Sequence, residues 1–131
     1  MAAPNMVNVS TIYGKTTGGT VAGNVNINLS NCIILQNPAG SNKVIKLNTM
    51  VVCNRNGILN SDISVAVRKN SSNAASNTDI FMVSTVSVPA DATLVVGSKD
   101  INLYLEEDDE IRANASVINA LQMIVSYEEI Q

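Results

Sequence analysis

The chain has 131 residues, of which 46% are hydrophobic, 15% charged and 3% aromatic, with a net charge of -3 and a pI near 4.7. The absence of His excludes a Ser-His-Asp triad, a Cys-His pair and an imidazole metal site. The acidic pI argues against nucleic acid as a partner, and no apolar run approaches the ~18 residues that a membrane span needs.

Uncharged polar residues take the place of charges, because the chain contains 18 Asn, 13 Ser and 8 Thr. A typical soluble domain is about 25% charged, so this surface is expected to be unusually neutral. The length fits one domain over residues 1–131, in which residues 1–12 form either an N-terminal arm or a first strand. The positive mean hydropathy of +0.17 indicates a folded chain.

The hydrophobic period is that of strands. Residues 24–29 alternate between Asn and an apolar residue, a pattern that predicts a strand with one buried face. Seven further segments with strand character follow at short intervals, separated by polar turns. The eight predicted strands cover residues 24–29, 43–53, 63–68, 80–88, 93–97, 101–105, 111–115 and 121–127.

The segment 43–53 is predicted to bury Ile45, Leu47, Val51 and Cys53 on one face of a strand. The dipeptide at residues 56–57, Asn-Gly, follows as a turn signal because both residues tolerate positive φ.

The region 69–79 has no hydrophobic period and is rich in Asn, Ser and Ala, so we expect an exposed, mobile loop there. Strands at this spacing are typical of a sandwich, a jelly roll or a small barrel. The predicted fold class is therefore all-β: an antiparallel, jelly-roll-like β-sandwich of about eight strands.

The two cysteines, Cys32 and Cys53, both lie in apolar runs. We expect two reduced, buried thiols, and a disulfide between neighbouring strands is the alternative. Two Cys without His or a third Cys make a poor zinc site, and no metal or cofactor is expected.

The charge is segregated along the chain. Residues 106–131 contain seven acids and one base, whereas the first 105 residues contain four acids and seven bases. Five of the acids are consecutive, at residues 106–110, and they are predicted to form a turn before a strand that begins near Ile111. Three interpretations remain open: a solvated turn, an electrostatic contact with a basic neighbour, and a calcium site, although the run lacks the usual calcium-loop spacing.

The last two thirds of the chain resemble a known group of proteins. The run Leu103-Tyr104-Leu105-Glu106-Glu107 and the closing Ser126-Tyr127-Glu128-Glu129 are similar to an acidic hairpin and a final strand in small β-sandwich virion proteins of tailed phages, especially cyanophages. The likeness covers roughly residues 43–131. Asp108 stands where that pattern has Gly, and Asp is a residue that tolerates left-handed φ.

The resemblance implies a non-enzymatic structural protein of a virion, assembled in the host cytoplasm. Our first hypothesis is a capsid decoration or cement protein that braces the outer shell as a homo-oligomer such as a trimer, in contact with the major capsid protein or another virion protein. The alternatives are a neck, tail or baseplate adaptor, and a carbohydrate-binding module, although Trp is absent. No nucleophile and base occur at a readable spacing, so no catalytic residues are predicted.

The residues predicted to make charged contacts with a neighbour are Glu106, Glu107, Asp108 and Asp109.

Overall fold

The computed structural model describes residues 9–98 and 100–131, which form β-strands joined by turns and loops. One turn of 3-10 helix, Ser30–Cys32, precedes the second strand. The strands of the described residues are β1 (Ile12–Thr20), β2 (Ile33–Gln36), β3 (Val44–Asn54), β4 (Ser61–Lys69), β5 (Thr78–Val88), β6 (Thr93–Gly97), β7 (Leu103–Leu105), β8 (Glu110–Ala115) and β9 (Leu121–Ile130).

The strands form two antiparallel sheets. The first has the order β1-β9-β3-β6 and the second has the order β2-β8-β4-β5, while β7 pairs with β3 beyond the end of β6. The ladders thus join β1 to β9, β2 to β8, β3 to β6 and β7, and β4 to β5. This nesting is that of one long hairpin rolled into two facing sheets, which is the architecture of a jelly roll. The predicted all-β sandwich is confirmed.

The space between the sheets is filled by aliphatic side chains. The largest side chains that are fully buried include Ile45, Ile63, Leu105, Ile111 and Leu121, which come from five different strands of both sheets. Strand β9 shows how the sequence produces this core, because alternate residues from Leu121 to Tyr127 are buried. Burial of such side chains supplies most of the driving force for folding, at about 25 cal/mol per Å² of apolar surface.

The strand predicted at residues 24–29 is wrong. These residues belong to the connection between β1 and β2, which crosses the outer surface of the second sheet. Asn24 has a left-handed φ of 56°, and the side chain of Asn26 accepts a hydrogen bond from the backbone N–H of Asn28. Turns and local side-chain hydrogen bonds therefore take the place of the inter-strand hydrogen bonds of a β-ladder. The apolar residues of this segment differ in burial, because Ile27 packs on Cys32 and Ala66, Val25 is half-buried and Leu29 is exposed.

The predicted burial along β3 is wrong in its second half. Ile45 and Leu47 are buried as expected, but Val51 is only half-buried and Cys53 is exposed. The cause is a β-bulge at Asn48, which has no partner in β9 although its neighbours pair with consecutive β9 residues. The extra residue reverses the face of the sheet to which each later side chain of β3 points. Met50 and Val52 are therefore buried in the core in place of Val51 and Cys53.

Strand β1 has no counterpart among the predicted strands. It is an edge strand with mostly exposed residues and three glycines, and its nine residues all pair with β9. The N-terminal arm predicted for residues 1–12 lies outside the described residues up to residue 8, and Ile12 begins β1. The dipeptide at residues 56–57 lies in a loop that joins the two sheets and is not the turn of a two-stranded hairpin.

The close pairing of β1 with β9 depends on Gly18. A Cβ at this position would lie 2.5 Å from the carbonyl oxygen of Met123, whereas a Cβ at Gly19 would meet nothing within 4 Å. We expect Gly18→Ala to lower the free energy of unfolding by about 1–3 kcal/mol, because backbone must move. The matched variant Gly19→Ala is expected to leave stability unchanged or raise it slightly. Urea denaturation of both variants is the test, and equal midpoints would contradict the tight contact.

Candidate functional site

The acidic run is a turn that joins β7 to β8 and lies beside two other connections of the sandwich. Asp108 has a φ of 70°, a left-handed conformation that Asp tolerates better than most residues. The backbone N–H of Asp108 donates to the carbonyl of Asn37, and the N–H of Asn37 donates to the carbonyl of Asp109. These two bonds tie the turn to the end of β2.

Asn37 is the buried polar centre of this corner, with none of its surface exposed. Its amide nitrogen donates to the carbonyls of Lys43 and Leu105, each at 3.0 Å, and its oxygen accepts from the hydroxyl of Ser41 at 2.6 Å. Asn37 therefore connects the end of β2, the start of β3 and the end of β7. Its side chain also satisfies two backbone carbonyls, which would be costly to bury without a hydrogen-bond partner.

Asp109 is buried, with 1% of its surface exposed. One carboxylate oxygen accepts from the Nζ of Lys69 at 2.6 Å and from the backbone N–H of Glu106 at 3.0 Å. Burial lowers the pKa of Lys69, but the hydrogen bond that Lys69 donates to Asp109 and the charges of Asp109 and Glu106 outweigh this effect, so the pKa of Lys69 is raised. Asp109 is therefore bonded within the chain, and its contact with a basic neighbour stays a prediction.

Asp108 fixes the loop between β4 and β5. Its carboxylate accepts from the hydroxyls of Ser71 and Ser72, at 3.0 and 2.7 Å, and from the backbone N–H of Ser72. Partial burial raises the pKa of Asp108, but the hydrogen bonds from Ser72 and Ser71 outweigh it and leave the pKa lowered. The loop that the sequence presented as mobile is thus attached to the acidic turn at residues 71–72.

The other acids of the run differ in exposure. Glu107 accepts from the backbone N–H of Gly40 at 2.8 Å, whereas the side chain of Glu106 is 68% exposed and lies 3.4 Å from Lys69. Glu110 is buried against Arg112 on β8. The run is therefore not a uniformly solvated turn. Contact of Glu106, Glu107, Asp108 and Asp109 with a basic neighbour stays a prediction, and Glu106 offers the most accessible charge of the four.

Acid sensitivity follows from three carboxylates whose pKa is lowered. Hydrogen bonds from Arg68 lower the pKa of Asp79, and a hydrogen bond from Lys15 lowers the pKa of Glu129. The pKa of Asp108 is also lowered, because the hydrogen bonds from Ser72 and Ser71 outweigh the opposing effect of burial. A pKa that is lower in the folded state stabilises the fold above the unfolded value, and this stabilisation is lost as the pH falls through the folded value. We expect stability to be level from neutral pH to about pH 5 and to fall below about pH 4.

Urea denaturation across this pH range checks the expectation. Replacing Asp79 by Asn should lower stability at neutral pH and weaken the loss at acid pH, because one linked carboxylate is gone. Asp100→Asn is the control, since Asp100 is exposed and has no partner among the described residues. An unchanged acid profile in Asp79→Asn would contradict the assignment.

The outer face of the β1-β9-β3-β6 sheet contains a region without charge, which we call the uncharged face. Its centre is a row across four strands, in which Gly18, Ile124, Val51 and Val95 are register partners. Ile124 is 53% exposed and Val95 is 60% exposed. The full set of outward positions on these rows is Thr16, Gly18, Thr20, Thr49, Val51, Cys53, Thr93, Val95, Gln122, Ile124 and Ser126.

The glycines of β1 give this face a hollow. Gly18 and Gly19 carry no side chains beside Gln122 and Ile124, and a depression of about 450 Å³ lies over them. This hollow was not among the features predicted from the sequence. A signal was present, because Ile124 occupies a position in β9 where strict alternation requires a polar residue.

The two cysteines are free and differ in exposure. Cys32 is buried as predicted, whereas Cys53 is exposed on the uncharged face, since the bulge in β3 turns it outward. Burial raises the pKa of the Cys32 thiol, and the charges of Arg112 and Arg68 lower it by less. The disulfide considered as an alternative is not formed.

Comparison with protein-family models, with curated proteins and with solved structures finds no significant match to this chain. In the part of the chain that the structure describes, no group of three or more Cys, Asp or Glu side chains is arranged to hold a metal ion. No helix within residues 9–98 and 100–131 is long and apolar enough to cross a membrane.

Proposed function

We propose that this chain is a non-enzymatic structural protein of a phage virion, and specifically a decoration protein that braces the outer shell of the capsid. The observation that carries the proposal is the uncharged face. An exposed sheet surface with an apolar row and Thr, Ser and Gln around it resembles the centre of a protein interface, where charges are depleted. Such a face fits against a neighbouring shell subunit or another copy of the chain.

The composition supports the same proposal. Burying Asn, Ser and Thr on assembly costs less than burying Lys or Glu, because their side chains lose less conformational entropy and carry no charge to desolvate. The acidic corner contributes in a different way, since most of its carboxylates act within the chain and stiffen one end of the sandwich. A stiff, neutral sandwich is suited to a shell in which many identical contacts repeat.

Cryo-electron microscopy of purified particles tests the proposal. We expect density for the chain on the capsid surface, with on the order of hundreds of copies per particle by quantitative mass spectrometry. Density confined to the neck, tail or baseplate, with about six or twelve copies, would overturn the decoration role in favour of an adaptor. Absence from the particle would overturn the virion assignment as a whole.

A variant pair tests the face itself. Ile124→Lys places a charge at the centre of the uncharged face, and we expect it to reduce occupancy on particles at least tenfold, because the charge must be desolvated on docking. Ile58→Lys is the matched control, since Ile58 is 88% exposed on the loop between β3 and β4 and lies off this face. Equal occupancy of the two variants would contradict docking through the uncharged face.

A further inference from the structure

The outer surface of the second sheet is only half covered. Residues 27–32 pack over Ala66 and Arg112, which are register partners in β4 and β8. Two residues farther along both strands, Ser64 and Asn114 form the next outward pair. Ser64 is 8% exposed, whereas Asn114 is half-buried and donates from its amide nitrogen to the carbonyl of Val25 at 2.9 Å. An open cleft of about 360 Å³ lies over this half of the sheet.

The cleft has polar walls on both sides. Its floor contains Ser64 and Asn114, and Asp62 extends it toward the start of β4. One wall is the backbone around Asn24, which is anchored to β8 by hydrogen bonds in both directions with Ala115 and its neighbours. The other wall is Thr85 on the edge strand β5.

Both walls contain residues in the left-handed conformation. Asn24 has a φ of 56° and Thr85 has a φ of 49°. For a β-branched residue such as Thr this conformation is strained, and residues held in it concentrate at functional sites. In β5 the strain accompanies a bulge: Ile63 and Val65 pair with Val86 and Val83, which leaves two β5 residues opposite Ser64.

The bulge also changes how Ser64 is bonded. The backbone N–H of Thr85 donates to the hydroxyl oxygen of Ser64 at 2.9 Å, so a side chain replaces the ladder acceptor. The hydroxyl proton of Ser64 has no acceptor among the described residues. The carboxylate of Asp62 likewise accepts no hydrogen bond and forms no ion pair in that part of the chain. Donors and acceptors with unused capacity therefore converge on one cleft.

From this arrangement we propose that the cleft is a binding site for a neutral, hydroxyl-rich ligand, namely a hexopyranose unit of a glycan. Sugar hydroxyls both donate and accept, which matches a carboxylate, amides and hydroxyls side by side. The lining has one negative charge, on Asp62, and no cation, so it disfavours phosphate and acidic sugars. Val25, which is half-buried, supplies a small apolar surface for the C–H face of a ring.

The volume and the lining set the strength of binding. A cleft of about 360 Å³ lies at the lower end of the range of small-ligand sites, about 300–1,000 Å³. No aromatic residue lines it, so the stacking that strengthens many ligand sites is missing. We expect dissociation constants in the millimolar range for a single sugar, which repetition on a many-copy particle would raise to useful avidity.

The test is an NMR titration of the full ¹⁵N-labelled chain with methyl glucoside, methyl mannoside and methyl galactoside. We expect saturable shifts for at least one sugar, concentrated at Asn24, Ser64, Thr85 and Asn114. Asp62→Ala should weaken this binding roughly tenfold, whereas Asp100→Ala, an exposed carboxylate outside the cleft, should leave it unchanged.

A second variant separates binding from folding. Thr85→Gly relieves the left-handed strain, so its urea midpoint should be equal or higher, while its sugar affinity falls. The proposal is overturned if none of the three sugars binds, if the shifts lie elsewhere, or if Asp62→Ala binds as tightly as the original chain. Binding of glucosamine or inorganic phosphate alone would also overturn it, because the site would then select a charge.

Discussion

Replacing Arg112 by Met is expected to lower the free energy of unfolding by about 3–5 kcal/mol. Arg112 and Glu110 are both buried on the outer side of β8, with the guanidinium Nε donating to the carboxylate at 2.8 Å. The same guanidinium donates from Nη1 to the carbonyls of Ile27 and Leu29. The variant would leave Glu110 as a buried charge without its partner and would also release the connection that covers the second sheet.

Urea denaturation measures this loss, with Arg55→Met as the matched control. Arg55 is exposed and forms no ion pair among the described residues, so its replacement should change stability by less than about 0.5 kcal/mol. The double variant with Glu110→Leu should recover part of the loss, because removing both charges leaves neither one uncompensated. Strictly additive losses would contradict a direct interaction between the two side chains.

Replacing Asp109 by Ala is expected to cost about 2–3 kcal/mol, while Glu106→Ala costs less than about 0.5 kcal/mol. Both carboxylates contact Lys69, but Asp109 is buried and also accepts from the backbone N–H of Glu106. The exposed Glu106 interacts through water, where an ion pair contributes little. The pair of variants thus compares two acids that lie three positions apart and act on the same Lys.

Thermal and urea unfolding of the two variants provide the measurement. Similar small losses would show that the acidic run acts as a solvated turn, as one of the three interpretations of the sequence holds. A large loss confined to Asp109→Ala would instead show that Asp109 stabilises the fold by connecting the turn between β7 and β8 to Lys69 at the end of β4. Binding assays with Glu106→Ala would then isolate any external role of the run, because this variant keeps the fold.

The acidic turn and the closing strand, on which the proposal of a phage protein partly rests, have structural roles within this chain. Asp108 adopts the left-handed conformation that Gly would adopt and adds bonds to Ser71 and Ser72 that Gly lacks. In the closing strand, Glu129 pairs with Lys15 and Lys43. Asp108 and Glu129 therefore connect elements of the sandwich to each other. The proposed docking surface is a different region, the uncharged face.

Most of the strands could be predicted because their hydrophobic period is local. β5, β6 and β9 begin within two residues of their predicted starts. The residues that β4 and β8 contribute to the core between the sheets alternate as expected, although most of the intervening residues are buried as well. β1 was missed because it is an edge strand whose side chains are mostly exposed, so burial imposes no period on it. Its place is decided by backbone pairing with β9, more than a hundred residues away.

The sequence alone determined the all-β class, the lean aliphatic core and the shortage of charge, since each depends on composition or on a period of two residues. Only the tertiary structure decided which residues face outward after a bulge, as at Asn48, and which acids are buried, as at Asp109. It also decided that Asn24 and Thr85 border one cleft. These features depend on contacts between segments that are distant in the sequence, because strand register and loop packing are set by pairing and burial across the two sheets.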